Sequence, residues 1–244
     1  FADMVKLKGN TNIGELINTQ IITPLEKVNH LSDMPDFNDV TKLGSGKEMV
    51  DRLTNLIAIF QNPALDFSKN KAEGDDILGD AYEYLMRHFA TESGKSKGQF
   101  YTPSEVSQII AKVIGINQAK RQDQTAYDPT CGSGSLLLRV GNEAIQKVAL
   151  YGQEKEATTA GLARMNMILH NNSDAAANIE HGDTILNPLH KHAGTYSKFH
   201  RVIANPPFSA KWKGDSDPVL ANDERFIQYG KLAPKSKADW AFAT

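Results

Sequence analysis

The tetrapeptide Asn205-Pro206-Pro207-Phe208 has residue types that could carry out chemistry. It follows the short apolar run 201–204, which predicts a buried strand. Two prolines cannot continue a central strand, because each lacks the N–H group that the ladder needs. The strand therefore ends at Asn205, and ligands bind at such carboxyl ends in open α/β sheets. An amide, a fixed carbonyl and an aromatic ring suit an amino group on a flat ring, although a simple turn after a strand would use similar residues.

A glycine-rich loop lies between the first predicted strand, 125–128, and the helix that follows it. It reads Asp128-Pro129-Thr130-Cys131-Gly132-Ser133-Gly134-Ser135, and its glycines let backbone N–H groups approach a ligand closely. It lacks the third glycine of the dinucleotide fingerprint, since Leu137 holds that place. The acid before the loop, Asp128, suits a ligand with a positive charge better than a pyrophosphate.

Two further acids follow the next two predicted strands. Glu154 ends the strand 149–153, and Asp183 follows the strand 178–181. Doubly wound folds place a carboxylate against ribose hydroxyls at the position of Glu154. Each acid taken alone would serve as a helix cap or a turn residue. Together with the loop they predict a site for a cationic amine, a ribose and an adenine, so S-adenosylmethionine fits better than NAD.

The block Gln99-Phe100-Tyr101-Thr102-Pro103-Ser104-Glu105 precedes a helix with an apolar stripe. Thr102 and Glu105 have the spacing of a capping box with Pro103 at the first helical position. The helix that follows is expected to bury Val106, Ile109, Ile110 and Val113. Capping does not explain the two adjacent aromatic residues outside the helix, which point to a ligand ahead of its N-terminus.

The order of the predicted elements defines the fold class. From residue 125 onward, strands at 125–128, 149–153, 178–181 and 201–204 alternate with helices at 135–148 and 155–170, which predicts a parallel, doubly wound α/β sheet. Residues 1–74 are expected to form a small helical domain, with a helix beginning at the capping box Thr23-Pro24-Leu25-Glu26 and another ending at Asn62-Pro63. Residues 75–244 are expected to form the catalytic domain. Gly44-Ser45-Gly46-Lys47 is not a phosphate loop, because Glu48 stands where Ser or Thr is needed.

Composition narrows the classes of function. The 244 residues are 40% hydrophobic and 23% charged, which is ordinary for a globular protein, and carry a net charge of −2. A chain that gripped nucleic acid unaided would more often be basic. The sequence shows no membrane span, no secretory signal and a single cysteine, so a cytoplasmic location is expected. The seven histidines have no ligand spacing, and no metal is expected.

With these motifs in this order, the chain resembles an adenine-N6 DNA methyltransferase, and more narrowly the modification subunit of type I restriction–modification systems. The matching stretches are 79–85, 98–103, 128–134, 152–154, 166–167 with 169–170, 182–184 and 205–208. The resemblance implies a Rossmann-like methyltransferase sheet. The patterns account for about four strands, fewer than this class of sheet requires. The chain is therefore expected to lack C-terminal strands and to be poorly stable or inactive by itself.

The resemblance also implies a role for each residue of the site. Gln99 to Ser104 would line the methionine end of the cofactor, the segment 132–135 would pass under it, and Asp128 would lie near its amino-acid part. Glu154 would hold the ribose hydroxyls, and Asp183 would face the adenine amino group. Asn205 and the Pro206 carbonyl would accept hydrogen bonds from the N6 amine of the target base, on which Phe208 would stack.

The implied partners are double-stranded DNA, a specificity subunit and, as a further candidate, a restriction subunit with nuclease and translocase activity, with two modification subunits per complex. Rival functions are methylation of a glutamine amide in a protein, methylation of an amino group in RNA, and cofactor binding without catalysis. Protein glutamine methyltransferases share the Asn-Pro-Pro tip but usually carry Tyr at the position of Phe208. Lys211-Trp212-Lys213 could contact DNA, or could be a partly buried tryptophan between two solvated lysines.

Overall fold

Two units with different architectures make up the chain, residues 1–81 and residues 82–244. The computed structural model describes residues 1–29, 31, 34–65, 84–85, 88, 102–121, 123–207, 210–214, 217–230 and 232–243. No helix in these described ranges is long and apolar enough to cross a membrane.

The N-terminal unit is helical in its described residues. Its elements are α1 (Ala2–Lys6), α2 (Ile13–Ile17), a π-helical turn (Asn18–Ile22), α3 (Thr23–Asn29), α4 (Val40–Leu43), α5 (Lys47–Phe60) and a 3-10 turn (Pro63–Leu65). The expected end of α5 before Asn62-Pro63 is confirmed. Helix α3 begins at Thr23, as expected, but it follows the π-helical turn directly, and Thr23 already has helical φ and ψ angles of −56° and −44°. The core of this unit is aliphatic: Ile13, Ile17, Ile22, Met49, Leu53 and Ile57.

The second unit carries a four-stranded parallel sheet in its described residues. The elements are α6 (Ser104–Val113), a 3-10 turn (Ile116–Gln118), β1 (Thr125–Asp128), α7 (Ser135–Glu143), β2 (Ala149–Glu154), α8 (Ala157–Leu169), α9 (Ser173–Ala177), β3 (Ile179–His181), β4 (Lys191–His192), β5 (Thr195–Tyr196), β6 (Arg201–Val202), α10 (Pro218–Ala221), α11 (Glu224–Ile227) and α12 (Asp239–Ala243). The sheet order is β3-β2-β1-β6, and β4 and β5 form a separate antiparallel pair.

This sheet confirms the predicted parallel α/β fold, with differences at the element ends. The helix expected over 135–148 ends at Glu143, because Ala144 is already extended, with a ψ angle of 133°, where the chain turns toward β2. The strand expected over 201–204 pairs only at Arg201 and Val202. Alternate residues of each strand face opposite sides, which places Ala126 and Leu150 in the aliphatic core beneath α7 and α8.

Aromatic residues cover the other face of the sheet. Tyr127 of β1 stacks on Phe199, with ring centroids 4.4 Å apart, and His190 packs edge-on against Tyr127 at 5.3 Å and Tyr151 at 5.4 Å. Burial raises the pKa of the Tyr127 hydroxyl. The segment that contains β4 and β5 thus closes this side of β1 and β2.

Helix α6 buries a different face from the expected one. Val106, Ile109 and Val113 are 43%, 62% and 80% exposed, whereas Ser107 and Ala111 are buried. The small side chains of Ser107 and Ala111 allow close packing, and α6 packs against α7. Apolar periodicity therefore predicted the helix but not the face that it buries.

Candidate active site

Four strand ends meet at one edge of the sheet and position the predicted site residues. Because β1, β2, β3 and β6 run parallel, their carboxyl ends lie on the same side. Asp128 ends β1 and Glu154 ends β2, while Asp183 follows β3 by two residues and Asn205 follows β6 by three. The topology thus brings together residues that lie up to 77 positions apart in the sequence.

The glycine loop between β1 and α7 is tied to the end of β2. The N–H group of Gly132 donates to Oε2 of Glu154 at 3.0 Å, and the N–H group of Cys131 donates to the Gln153 carbonyl at 3.1 Å. Gly134 has a φ angle of +79°, a left-handed conformation that favours glycine, and its N–H group donates to the Cys131 carbonyl at 2.8 Å. The loop is therefore a fixed turn that one carboxylate helps to hold.

The carboxyl group of Asp128 lies buried beneath this loop. Its Oδ1 accepts hydrogen bonds from the N–H group of Thr130 at 2.9 Å and from the Thr130 hydroxyl at 3.5 Å. Burial raises the pKa of Asp128 to about 7, and the neighbouring Glu154 carboxylate raises it further. Near neutral pH this side chain therefore exchanges between its neutral and charged forms.

A cavity of about 250 Å³ opens at this edge and brings four predicted residues together: Glu154, Asp183, Asn205 and Pro207. Its other walls are Pro129, Thr130, Lys155, Glu156, Gly182, Thr184, Ile185, Ala210, Lys211, Trp212, Ala238 and Phe242. Burial raises the pKa of Glu154, and the N–H groups of Glu156 and Gly132 oppose that shift by donating to its oxygens. The walls thus combine apolar side chains with charged and polar ones.

Asp183 has one oxygen committed to its own turn and one held by a cation. Its Oδ1 accepts from the N–H groups of Ile185 at 3.0 Å and Leu186 at 3.2 Å. Its Oδ2 lies 3.1 Å from Nζ of Lys155, whose side chain is 66% exposed. Because the lysine of this pair is exposed to solvent, the pair contributes little to stability, and a ligand amine could take the place of the lysine.

Thr102 contacts Asn205 instead of capping a helix. Helix α6 begins at Ser104, with Pro103 as its N-cap residue and no side-chain cap, so the predicted capping box does not form. The Thr102 hydroxyl instead accepts a hydrogen bond from Nδ2 of Asn205 at 3.3 Å. Among the described residues, the Oδ1 atom of Asn205 has no hydrogen-bond partner. The Gln-Phe-Tyr-Thr-Pro block and the Asn-Pro-Pro block, 103 residues apart, are thereby joined.

The remaining predicted site residues either do not line the cavity or lie outside the described part of the chain. The hydroxyls of Ser133 and Ser135 are buried and bond to each other at 2.9 Å. These two serines do not line the cavity. The same holds for Thr102, Pro103, Asp128, Gly132, Gly134 and Pro206. Gln99, Phe100, Tyr101, Phe208 and the side chain of Ser104 lie outside the described residues.

Gln153 is a positioning residue whose role was not predicted from the sequence. Its side chain is fully buried, and its amide nitrogen, Nε2, donates to the carbonyls of Gly182 at 3.1 Å and Asn187 at 3.0 Å. Its Oε1 accepts from the N–H group of Leu189 at 2.9 Å. These bonds fix the segment that carries Asp183. The available signal was an amide within an otherwise buried strand.

The side chain of Trp212 is fixed by a hydrogen bond and a ring contact within the second unit. Its indole N–H group donates to the Pro234 carbonyl at 3.0 Å, and its ring packs against Phe226 with centroids 5.8 Å apart. Lys213 forms an ion pair with Asp217 at 3.2 Å, while Lys211 lines the cavity. The structure therefore places Trp212 as a partly buried residue between two exposed lysines.

Together, a parallel sheet, a glycine loop and acids at successive strand ends define an S-adenosylmethionine-dependent methyltransferase fold. A sequence model of the family "N-6 DNA Methylase" matches residues 73–244, and the chain belongs to that family. It is similar to the type I restriction enzyme MpnII methylase subunit of Mycoplasma pneumoniae, with 40% identity over 99% of this chain and 48% of that protein.

Two solved structures are similar to this chain. The methyltransferase subunit of a type I restriction-modification system from Streptococcus thermophilus has a TM-score of 0.80 and 32% identity, covering 99% of this chain and 50% of that one. A putative class I S-adenosylmethionine-dependent methyltransferase from Listeria monocytogenes has a TM-score of 0.53 at 18% identity, covering 99% and 67%, and shows the fold alone. The chain spans about half the length of the first two relatives.

The expected cofactor, S-adenosylmethionine, is that of the fold and family, and the residues present fit it. A ribose needs hydrogen-bond acceptors, an adenine needs an apolar slot with a polar edge, and a cationic amino-acid part needs a nearby acid. The cavity offers Glu154 and Asp183 beside apolar side chains such as Ile185, and Asp128 lies at the adjoining loop. No group of three or more metal-ligating side chains occurs within the described ranges.

Proposed function

We propose that this chain contains the catalytic centre of a DNA methyltransferase that modifies the N6 amine of adenine in double-stranded DNA. The observation that supports this most is the bond from Asn205 Nδ2 to the Thr102 hydroxyl at the rim of a cavity that holds Glu154 and Asp183. It orients the amide so that Oδ1, an acceptor, is left for an amino group. An amine on a flat ring is what such a site selects.

The catalytic residues act by positioning and by electrostatics. The N6 lone pair of adenine is delocalised into the ring, which makes it a poor nucleophile. Oδ1 of Asn205 and the Pro206 carbonyl would each accept a hydrogen bond from one N–H group of the amine. Two such bonds favour a pyramidal nitrogen whose lone pair is free to react. S-adenosylmethionine, when bound, supplies an activated methyl group, so no covalent enzyme nucleophile is required. Phe208 would stack on a target base flipped out of the duplex.

The cofactor-binding residues divide between the loop and the strand ends. Glu154 would hold the ribose hydroxyls with one oxygen while its Oε2 keeps the Gly132 bond. Asp183 would accept the adenine amino group at Oδ2, in exchange for Lys155. Gln99 to Ser104 would line the methionine end, and Asp128, with Gly132, Ser133, Gly134 and Ser135, would lie beneath it.

The partners and the domain division are part of this proposal. A net charge of −2 favours a subunit that depends on a partner for much of its grip on DNA. We infer a specificity subunit that reads the site, two modification subunits per complex, and a restriction subunit as a further partner. Residues 1–74 would form the helical domain and residues 75–244 part of the catalytic domain.

The direct test is methyl transfer by the purified full-length protein. It is incubated with labelled S-adenosylmethionine and mixed DNA, with and without a candidate specificity subunit, and the DNA is digested to nucleosides. Label in N6-methyladenine is expected, and Asn205→Ala should lower its rate by about 10²–10³-fold, the usual cost of removing one positioned polar group. Asn222→Ala is the matched control, because its amide donates to the Pro218 carbonyl at 2.8 Å outside the cavity.

Two variants at Thr102 test the orientation of the Asn205 amide. Thr102→Ser keeps the hydroxyl and should retain most activity, whereas Thr102→Val keeps the shape and should lose activity.

In the methyl-transfer assay, labelling of DNA that needs the specificity subunit supports the type I assignment, and labelling without it indicates a stand-alone enzyme. Label in protein or RNA alone would contradict the proposed substrate. Binding of S-adenosylmethionine with no transfer to any substrate would indicate a non-catalytic subunit.

A further inference from the structure

Asn166 of α8 is a buried amide next to the glycine loop, and neither the sequence motifs nor the proposed mechanism gives it a role. Its side chain has no solvent exposure. Its Nδ2 donates to the carbonyl of Ser133 at 2.9 Å, across 33 residues of sequence. Its Oδ1 has no hydrogen-bond partner within the described residues. A buried oxygen without a partner is costly, so an apolar residue of similar size would suit a purely structural position better.

The Ser133 carbonyl lies at the centre of the turn that the loop forms. The peptide unit that carries this carbonyl also carries the N–H group of Gly134, which donates to the Cys131 carbonyl at 2.8 Å. On the other side of Ser133, the N–H group of Gly132 donates to Glu154 at 3.0 Å. A bond to the Ser133 carbonyl therefore fixes the peptide plane between two residues that are already tied down.

The same helix forms the floor of the loop. A Cβ atom on Gly134 would lie 2.8 Å from Cε of Met167 and 3.6 Å from Cβ of Ala163, so α8 approaches the loop backbone closely. Contact from Met167 and Ala163 limits the distance between helix and loop, whereas the amide of Asn166 adds a directional bond from the helix to a peptide group of the loop. Packing and hydrogen bonding thus have separate roles at this contact.

We propose that Asn166 is a positioning residue that holds the glycine loop in its cofactor-binding conformation by fixing the Ser133–Gly134 peptide. This inference rests on the proposed use of the loop for S-adenosylmethionine. Loss of the amide should free that peptide, allow the loop to adopt several conformations and weaken the binding of the cofactor. The sheet and α8 should keep their packing. The KM for S-adenosylmethionine should rise with little change in kcat, because the bond acts on cofactor binding.

The test uses Asn166→Leu in the full-length protein, which keeps the branched shape of the side chain and removes both the donor and the unpaired oxygen. Asn178→Ala is the matched control, because its Nδ2 donates to the Leu150 carbonyl of β2 at 3.1 Å, away from the loop. Two properties are measured: the affinity for S-adenosylmethionine by calorimetry, and hydrogen exchange of the loop amides without cofactor. Asn166→Leu should bind about tenfold more weakly, the factor for one net hydrogen bond, with faster loop exchange. Asn178→Ala should change neither.

Each result decides the matter. A folded Asn166→Leu protein that binds within twofold of the wild type would overturn the inference, whether or not its loop exchange is faster. Equal losses of affinity in Asn166→Leu and Asn178→Ala would overturn it too, since the effect would then be general destabilisation. If Asn166→Leu does not fold, Asn166→Ala replaces it in the same comparison. If the wild type itself binds no S-adenosylmethionine, the proposed function fails, and unchanged loop exchange in the variant would separately refute the anchoring role.

Discussion

The two units of the chain bury different kinds of side chain. In the described part of the N-terminal unit, the buried side chains are all apolar and belong to Ile13, Ile17, Ile22, Met49, Leu53 and Ile57. The described part of the second unit buries eight polar side chains: Ser107, Asp128, Ser133, Ser135, Gln153, Thr159, Arg164 and Asn166. Five of these, Asp128, Ser133, Ser135, Gln153 and Asn166, lie at or next to the loop edge of the sheet.

The difference separates residues that stabilise the fold from residues that hold the backbone of the site in position. Burial of an apolar side chain is favourable by itself, whereas a buried polar group must find partners to avoid a cost. At the loop edge the polar groups bond mainly to backbone, as Gln153 does to three separate peptide groups. Burial of apolar side chains therefore stabilises the N-terminal unit. In the second unit, burial of polar groups at the loop edge costs part of the stabilisation from its core, and their hydrogen bonds hold the backbone there in one geometry.

The largest effect should follow from a cavity in the N-terminal core. Leu53 of α5 is 1% exposed and lies at the centre of the aliphatic cluster. Leu53→Ala should lower the free energy of unfolding of this unit by about 2–5 kcal/mol, through lost burial and the cavity left behind. Urea denaturation followed by hydrogen exchange of the α5 amides measures the change.

Leu56→Ala, one turn away on the same helix, is the control. Leu56 is 42% exposed, so its truncation should cost well under half as much. Equal costs for the two substitutions would mean that the cluster around Leu53 does not carry the stability of the unit.

The sequence predicted the geometry of the loop edge better than its polar interior. The spacing of apolar residues and the turn-forming residues placed Asp128, Glu154, Asp183 and Asn205 at strand ends. Such patterns are informative because proline, glycine and β-branched residues determine the conformation of their own segment. The burial of Gln153 and Asn166 depends on contacts between distant segments, which no local pattern encodes. The same limit explains α6, whose apolar residues occur on more than one side, so that Ser107 and Ala111 face α7 instead.

Thr102 shows why one prediction failed. The capping box at Thr102 was a local inference from spacing, and in the structure the hydroxyl bonds to a residue 103 positions away. Local capping and a distant partner compete for the same oxygen, and the distant partner prevails where the sheet brings Asn205 close. A local motif that does not form can therefore mark a site.

The second effect concerns the charge of Asp128. The pKa of Asp128 in the folded state is about 7, above the ordinary value of 3.8 for an aspartate, because burial disfavours the carboxylate. The folded state therefore holds the proton more tightly than the unfolded state. The stabilisation is complete below about pH 4 and is lost as pH rises through 7, which amounts to about 2 kcal/mol between pH 5 and pH 8. Asp128→Asn should flatten that slope and raise stability at pH 8.

Cofactor binding should change in the opposite direction. If Asp128 lies near a cationic amine, Asp128→Asn should weaken S-adenosylmethionine while stabilising the protein without cofactor. Thermal melts from pH 5 to pH 8 and calorimetry at pH 8 measure the two changes. Asp174→Asn, at an exposed acid whose pKa Lys147 lowers by hydrogen bonding, is the control and should leave the slope unaltered. A slope retained in Asp128→Asn would assign the titration to another group, of which Glu154, whose pKa burial also raises, is the first candidate.

The smallest effect distinguishes close packing from backbone conformation within the second unit. Gly134 and Gly194 have φ angles of +79° and +83°, so alanine at either position costs about 1 kcal/mol for the left-handed conformation. A Cβ atom at Gly194 would have no neighbour within 4 Å, whereas at Gly134 it would lie 2.8 Å from Cε of the buried Met167. Gly134→Ala should therefore cost about 1 kcal/mol more than Gly194→Ala, because Met167 must move in a filled core. Thermal melts of the two variants side by side measure the difference. Equal melting temperatures would mean that α8 yields freely at the loop, and that the constraint at this edge comes from hydrogen bonds alone.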